Sequence, residues 1–111
     1  MIRVDVQRTG EKGWISSFRV NGHAGFAEAG NDIVCAGVSA ITVGTVNAVE
    51  SLLGVKLPAE MRKGLLAVSI PELPDEPVRE QVQLLLESML VMLDTIQQSY
   101  GAYIKIHDRL Q

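Results

Sequence analysis

His23 and Cys35 stand twelve residues apart in GHAGFAEAGNDIVCAGVS (residues 22–39), and Cys35 is the single cysteine of the chain. A thiol beside an imidazole carries its own base, and it is the thiolate that attacks an acyl carbon. The intervening residues are enough to fold back and bring the two groups together. If Asp32 caps the helix that follows, Cys35 takes about its third position, near the unpaired N–H groups of the first turn. That helix end favours a thiolate, and so does a protonated His23 in contact, whereas the Asp32 carboxylate opposes both. Ser39 lies four residues after Cys35 and on the same helical face, with Cβ atoms about 5–6 Å apart, so its hydroxyl can polarise the site. The face continues to Thr42 and Val46, which sets Cys35 at the edge of the apolar layer. Gly25 and Gly30 bracket FAEA and supply two backbone hinges, as a lid over a bound ligand requires, with Phe26 free to pack against that ligand.

Each of these residues also has a structural explanation. A lone cysteine near a helix start is commonly a small buried hydrophobe. His23 can simply end a strand, Asp32 can be a cap and nothing more, Ser39 can be a helix-packing residue, and glycines in a loop need no functional cause.

The elements that must position these groups follow from periodicity. Ile2, Val4 and Val6 alternate with Arg3, Asp5 and Gln7, and Trp14, Phe18 and Val20 share a second alternating register opposite Ile15, Ser17 and Arg19. TGEKG between them is hairpin-loop chemistry, so the spacing predicts an antiparallel pair. From Asn31 the stripe Val34, Val38, Ile41, Thr45, Ala48, Leu52 predicts a helix capped by Asn31 or Asp32 and stopping near Gly54. LLAVSIP (65–71) predicts a strand. PDEP (74–77) starts a second helix with the stripe Val78, Val82, Leu85, Met89, Met92, Ile96, closed by Gly101, after which AYIKIH (102–107) alternates as a final strand. The predicted fold is α+β: one two-layer ββαβαβ domain over residues 1–111, with a mixed four-stranded sheet packed by two helices. Leu84, Leu86, Leu90, Val91 and Leu93 lie beside or away from the second helix's stripe. That excess is met either by deep burial of the helix or by a homodimer interface.

Composition narrows the function. A chain of 111 residues, 47% of them hydrophobic, builds a core without disulfides or structural metal. A net charge of −3 and a pI near 5.3 leave no broad basic surface for a phosphate backbone, so no direct nucleic-acid contact is expected. The lone cysteine and an opening MIRVDVQR without an apolar leader point to a reducing cytoplasm. The richest apolar stretch, LLLESMLVML, is short and interrupted by Glu87 and Ser88, so no membrane span is expected. His23, Cys35 and His107 offer no metal-ligand spacing, and no cofactor is called for. His107, near the polar DRLQ end, is expected in solvent. A redox role lacks a resolving cysteine.

GHA, a short loop and then DIVCAGVSA resemble the signature of the ribosomal-processing cysteine protease (Prp) family. The resemblance extends in outline over the whole chain, including its length and its element order. It implies a cytoplasmic cysteine endopeptidase that removes the short N-terminal extension of large-subunit ribosomal protein twenty-seven before that protein joins the ribosome. It further implies a homodimer formed through the helices. On that basis Cys35 is the nucleophile and His23 the general base and acid, with Asp32 and Ser39 supporting and Gly25, Phe26 and Gly30 in the substrate loop. Phe26 stands where the family often has tyrosine, and Gly37 where alanine is common. The first-turn N–H groups of Cys35 and Ala36 are the expected oxyanion donors. The alternative is a dimeric module that binds the same peptide without cutting it.

Overall fold

The computed structural model describes residues 1–110, in the order β1 (Ile2–Thr9), β2 (Trp14–Gly22), α1 (Ile33–Leu53), β3 (Ala59–Arg62), β4 (Leu65–Ser69), α2 (Glu76–Tyr100) and β5 (Ile104–Leu110). The sheet has five strands and not four, ordered β3-β4-β2-β1-β5, with β1 and β5 parallel and the other neighbours antiparallel. The additional strand, β3, has the sequence AEMR, and all its residues are exposed. Without alternation it gives no periodic signal, although the Lys63-Gly64 turn ahead of LLAVS marks a hairpin.

Ile2, Val4, Val6, Phe18, Leu66, Val68 and Ile104 join residues of both helices in one buried cluster. The register of β2 shifts at a bulge. Gln7 faces Ser17 and Arg8 faces Ile15, leaving Ser16 between them with its hydroxyl donating to the Gln7 carbonyl. The bulge turns Ile15 into the core beside Phe18, where simple alternation had predicted Trp14. Gln83 fills the gap the bulge opens: its Oε1 accepts from Ile15 N at 2.8 Å and its Nε2 donates to Ile15 O at 2.9 Å.

Both helices are rotated relative to their predicted stripes. The buried residues of α1 are Val34, Val38, Thr42, Thr45 and Val49, with Leu52 71% exposed. The hydroxyls of Thr42 and Thr45 donate to the Val38 and Ile41 carbonyls, so two polar side chains are buried with their donors satisfied. In α2 the core takes Val82, Gln83, Leu86, Met89, Leu90 and Leu93. Much of the apparent apolar excess is therefore core, and Leu84, Val91 and Met92 remain exposed. Asp75 caps α2, and Gly54 ends α1 with its N–H donating to the Glu50 carbonyl.

α1 also departs from the expectation about apolar length. Residues 33–49 carry no charged side chain, and the helix is long and apolar enough to cross a membrane by length and composition. Its inner face belongs to the core cluster shared with the sheet. His107, expected in solvent, is half-buried on β5 opposite Asp5.

Candidate active site

His23 follows directly on β2, so its backbone is fixed by the sheet. Gly22 N–H donates to the Gly64 carbonyl at 2.9 Å, and the Met1 ammonium donates to the His23 carbonyl. The imidazole lies against the β3–β4 turn: a Cβ built on Gly64 would come 3.0 Å from His23 Nε2 and 3.4 Å from Cε1. Gly64 has φ +76°, so both the backbone and the space at this position suit glycine. Sequence inspection had not selected Gly64, and the turn signal KG was its only trace.

Cys35 is half-buried in the first turns of α1, packed against the core, and its Sγ accepts a hydrogen bond from Ala24 N at 3.3 Å. Among the described residues no hydrogen bond joins the Cys35 and His23 side chains. They meet instead as walls of common cavities. One cavity of about 250 Å³ lies between α1 and the β3–β4 hairpin; another of about 400 Å³ lies under residues 25–32; His23, Cys35 and Ser39 line both. A larger cavity, about 530 Å³, is on the helix-free face of the sheet among Asp5, Arg19, Ala67 and Ser69, and contains neither His23 nor Cys35 in its lining.

Asp32 is the cap of α1, and its side chain does more than cap. Oδ1 accepts from Val34 N and Cys35 N, each at 3.0 Å, while Oδ2 accepts from Phe26 N at 3.0 Å and Ala27 N at 3.4 Å. One buried carboxylate thus ties the loop to the helix start. The Cys35 N–H is the main cause holding its carboxyl below the ordinary value of 3.8; the Ala27 and Phe26 N–H groups add to it and desolvation opposes it.

This arrangement corrects the expected oxyanion donors. Cys35 N–H is taken by Asp32 Oδ1 and Ala36 N–H by the Asp32 carbonyl at 3.0 Å, so neither points to an incoming substrate. The amide beside the sulfur is that of Ala24. The Phe26 ring sits edge-on against Tyr100 and Tyr103, with centroids 5.6 and 5.2 Å away, and is 40% exposed. Gly25 and Gly30 both have positive φ, at +71° and +87°, so the loop needs both bends to hold this shape. Ser39 is exposed one turn along from Cys35, on the rim shared by the two cavities.

Over residues 1–105 the chain matches the family described as cysteine protease Prp. It is 41% identical over 108 residues to the ribosomal processing cysteine protease Prp of Bacillus subtilis (strain 168), with 96% of each chain covered. Identity to the Staphylococcus aureus protein of the same name is 33% over 107 residues, covering 96% of this chain and 98% of that relative. Among solved structures, the S. aureus protease in complex with a covalently linked product peptide is similar with a TM-score of 0.87 at 32% identity, covering 98% of this chain and 100% of that one. A Streptococcus mutans protein is similar with a TM-score of 0.84 at 30% identity, covering 100% and 96%.

Proposed function

The chain belongs to the cysteine protease Prp family and is a cysteine protease; from that premise we propose that it removes the short N-terminal extension of large-subunit ribosomal protein twenty-seven in the cytoplasm during ribosome assembly. The observation that carries this reading is that Cys35 and His23 form the shared wall of two adjoining cavities. A peptide lying across that wall has its scissile carbonyl over the sulfur and chain on both sides, as cutting within a chain requires. The relatives' description as ribosomal processing proteases, and the S. aureus structure with a substrate peptide, support the class of substrate.

His23 takes the Cys35 proton and the thiolate attacks the carbonyl carbon, forming a tetrahedral intermediate. The Ala24 N–H, 3.3 Å from Sγ, turns to the developing oxyanion as the sulfur lone pair enters the new bond. His23 then protonates the leaving amine, and water releases the acyl group from Cys35. No third side chain is needed to orient the imidazole, because the Gly64 turn supports the ring, so a dyad suffices. Asp32 and Ser39 are supporting residues: Asp32 fixes the amides around the sulfur, and Ser39 offers a hydroxyl at the rim.

The protease is a homodimer in this reading, with Leu84 and Val91 as its contact. They are seven residues apart on one face of α2 and 69% and 67% exposed. Leu84→Glu with Val91→Glu yields monomer in sedimentation if so.

Mass spectrometry of the ribosomal-protein precursor incubated with wild type, Cys35→Ala and His23→Ala tests the chemistry. The wild type releases the N-terminal peptide, and each substitution lowers the rate by about a thousandfold or more. Cleavage that survives Cys35→Ala eliminates the nucleophile. Binding of the precursor by wild type without any product establishes the non-catalytic module instead.

A further inference from the structure

Charge is divided unevenly over the molecule. Ile2, Val4 and Val6 point to the helices, so Arg3, Asp5 and Gln7, with the residues in register with them, point the other way. That face carries Arg3, Arg19, Arg62, Lys105 and Arg109, all exposed, which is half of the 10 Lys and Arg of the chain. Of the 13 acids it carries two, Asp5 and Glu60. Five cations against two acids make the face +3, and the other five cations against eleven acids make the remainder −6. The net charge of −3 therefore averages two unlike parts. We propose that the helix-free face of the sheet is a docking surface for double-stranded RNA, held through its phosphates.

The cations are laid out across the strands. One row runs Arg62, Leu65, Asn21, Arg3, Lys105 from one edge of the sheet to the other and contains no acid. At about 4.8 Å between strands it is about 19 Å wide. Arg19 belongs to the next row and Arg109 to the one beyond. Arg3 stands 3.6 Å from Asp5 and Arg62 3.5 Å from Glu60, exposed pairs of little strength, while Arg19 and Arg109 have no ion pair among the described residues. Four of the five cations are arginines, whose planar fork grips a phosphate through two hydrogen bonds. Leu65 is buried, so this row has no apolar side chain to insert into a bilayer. His107 is the only ring on the face among the described residues, so unpaired bases find no stacking platform and the backbone of a duplex is what the surface suits. A-form RNA presents a wide, shallow groove lined with 2′-hydroxyls to a flat partner, and the exposed Asn21 amide and Ser69 hydroxyl are placed to meet them. The choice of RNA also rests on the ribosome-assembly reading above.

Fluorescence anisotropy of a labelled RNA duplex of about 20 base pairs, titrated with the full-length protein, reads the binding directly. A Kd of about 10 μM is expected at about 50 mM KCl, weakening about a hundredfold by about 200 mM, as engagement of about four phosphates requires. Arg19→Glu with Arg109→Glu is expected to weaken binding about tenfold or more. Lys12→Glu with Lys56→Glu makes the same change in net charge at exposed positions outside the face, and is expected to alter Kd by no more than about threefold. Arg19→Gln with Arg109→Gln keeps the test in force if charge reversal misfolds, with the slope of log affinity against log salt reduced by about two. Three results overturn the proposal: no binding at the lower salt, equal losses in the two Glu pairs, or binding of the matching DNA duplex, polyglutamate or phosphatidylglycerol vesicles as tight as that of RNA. RNA binding without precursor cleavage refutes the protease reading alone; cleavage without RNA binding refutes the docking surface alone.

Discussion

Two buried polar side chains, Gln83 and Asp32, each serve the main chain from a helix, and they fasten different things. Gln83 gives both its bonds to one residue, Ile15, and so welds α2 to the bulged strand in a densely packed core. Beside it Arg8 joins Glu87, Asp108 and the Gly13 carbonyl, so that α2, β5 and the first hairpin share one guanidinium. The Glu87 hydrogen bonds are the main reason that guanidinium holds its proton more firmly than usual, with Asp108 next. Asp32 spreads its bonds over Phe26, Ala27, Val34 and Cys35, with a cavity on its open side. The fold is held by packing plus polar welds, whereas the Cys35 sulfur is framed by a loop that a single carboxylate keeps in shape.

Removing each fastener separates these roles. Asp32→Ala is expected to cost about a hundredfold in kcat/KM, since misplacing groups around a nucleophile by an ångström has effects of that order. It also lowers Tm, in a pH-dependent way. Because folding depresses the Asp32 value, its contribution is complete above 3.8 and is lost as pH falls from there through the depressed value. The Tm gap between wild type and Asp32→Ala therefore closes on acidification below that value; a gap that widens there would mean the carboxylate is not the fastener.

Gln83→Leu tests the other side. It strands the Ile15 N–H and carbonyl in the core and is expected to lower stability by about 1–3 kcal/mol in chemical denaturation. The protein that remains folded retains wild-type kcat, and a loss of kcat matching that of Asp32→Ala would erase the distinction. Gly64→Ala lies between the two regions. Its new Cβ meets the imidazole at 3.0 Å from Nε2, and about a tenfold fall in kcat is expected, together with a shifted pH–rate profile. A fall in Tm with an unmoved profile would mark Gly64 as a turn residue only. The smallest effect is Gly44→Ala, on an exposed stretch of α1 where a Cβ meets nothing within 4 Å. Helix propensity then stabilises the protein by about 0.5–1 kcal/mol without altering cleavage.

The elements that carry the site were legible because their signals are local. Alternation marked β1, the change to a helical period marked α1, and Asp32 three residues before Cys35 marked the cap and the helix position of Cys35. The phase of each helix was not. α2 has apolar residues on both sides of any chosen stripe, and the choice of Leu86, Leu90 and Leu93 over Leu85, Met92 and Ile96 follows Gln83, whose partner is 68 residues away at a bulge. β3 escaped for want of any buried residue, and with it went the support for His23. The oxyanion donors were misassigned because a cap's side chain competes for the same amides that a free helix end would offer.

The parallel pairing of β1 with β5 has a bearing on how the molecule comes into being. Ile2 is matched with Ile104, so the strand made first waits for the strand made last, and β1 is an interior strand of the sheet. Closing so long a loop is entropically slow. Until β5 pairs with it, β1 presents an unpaired edge of the kind through which chains associate.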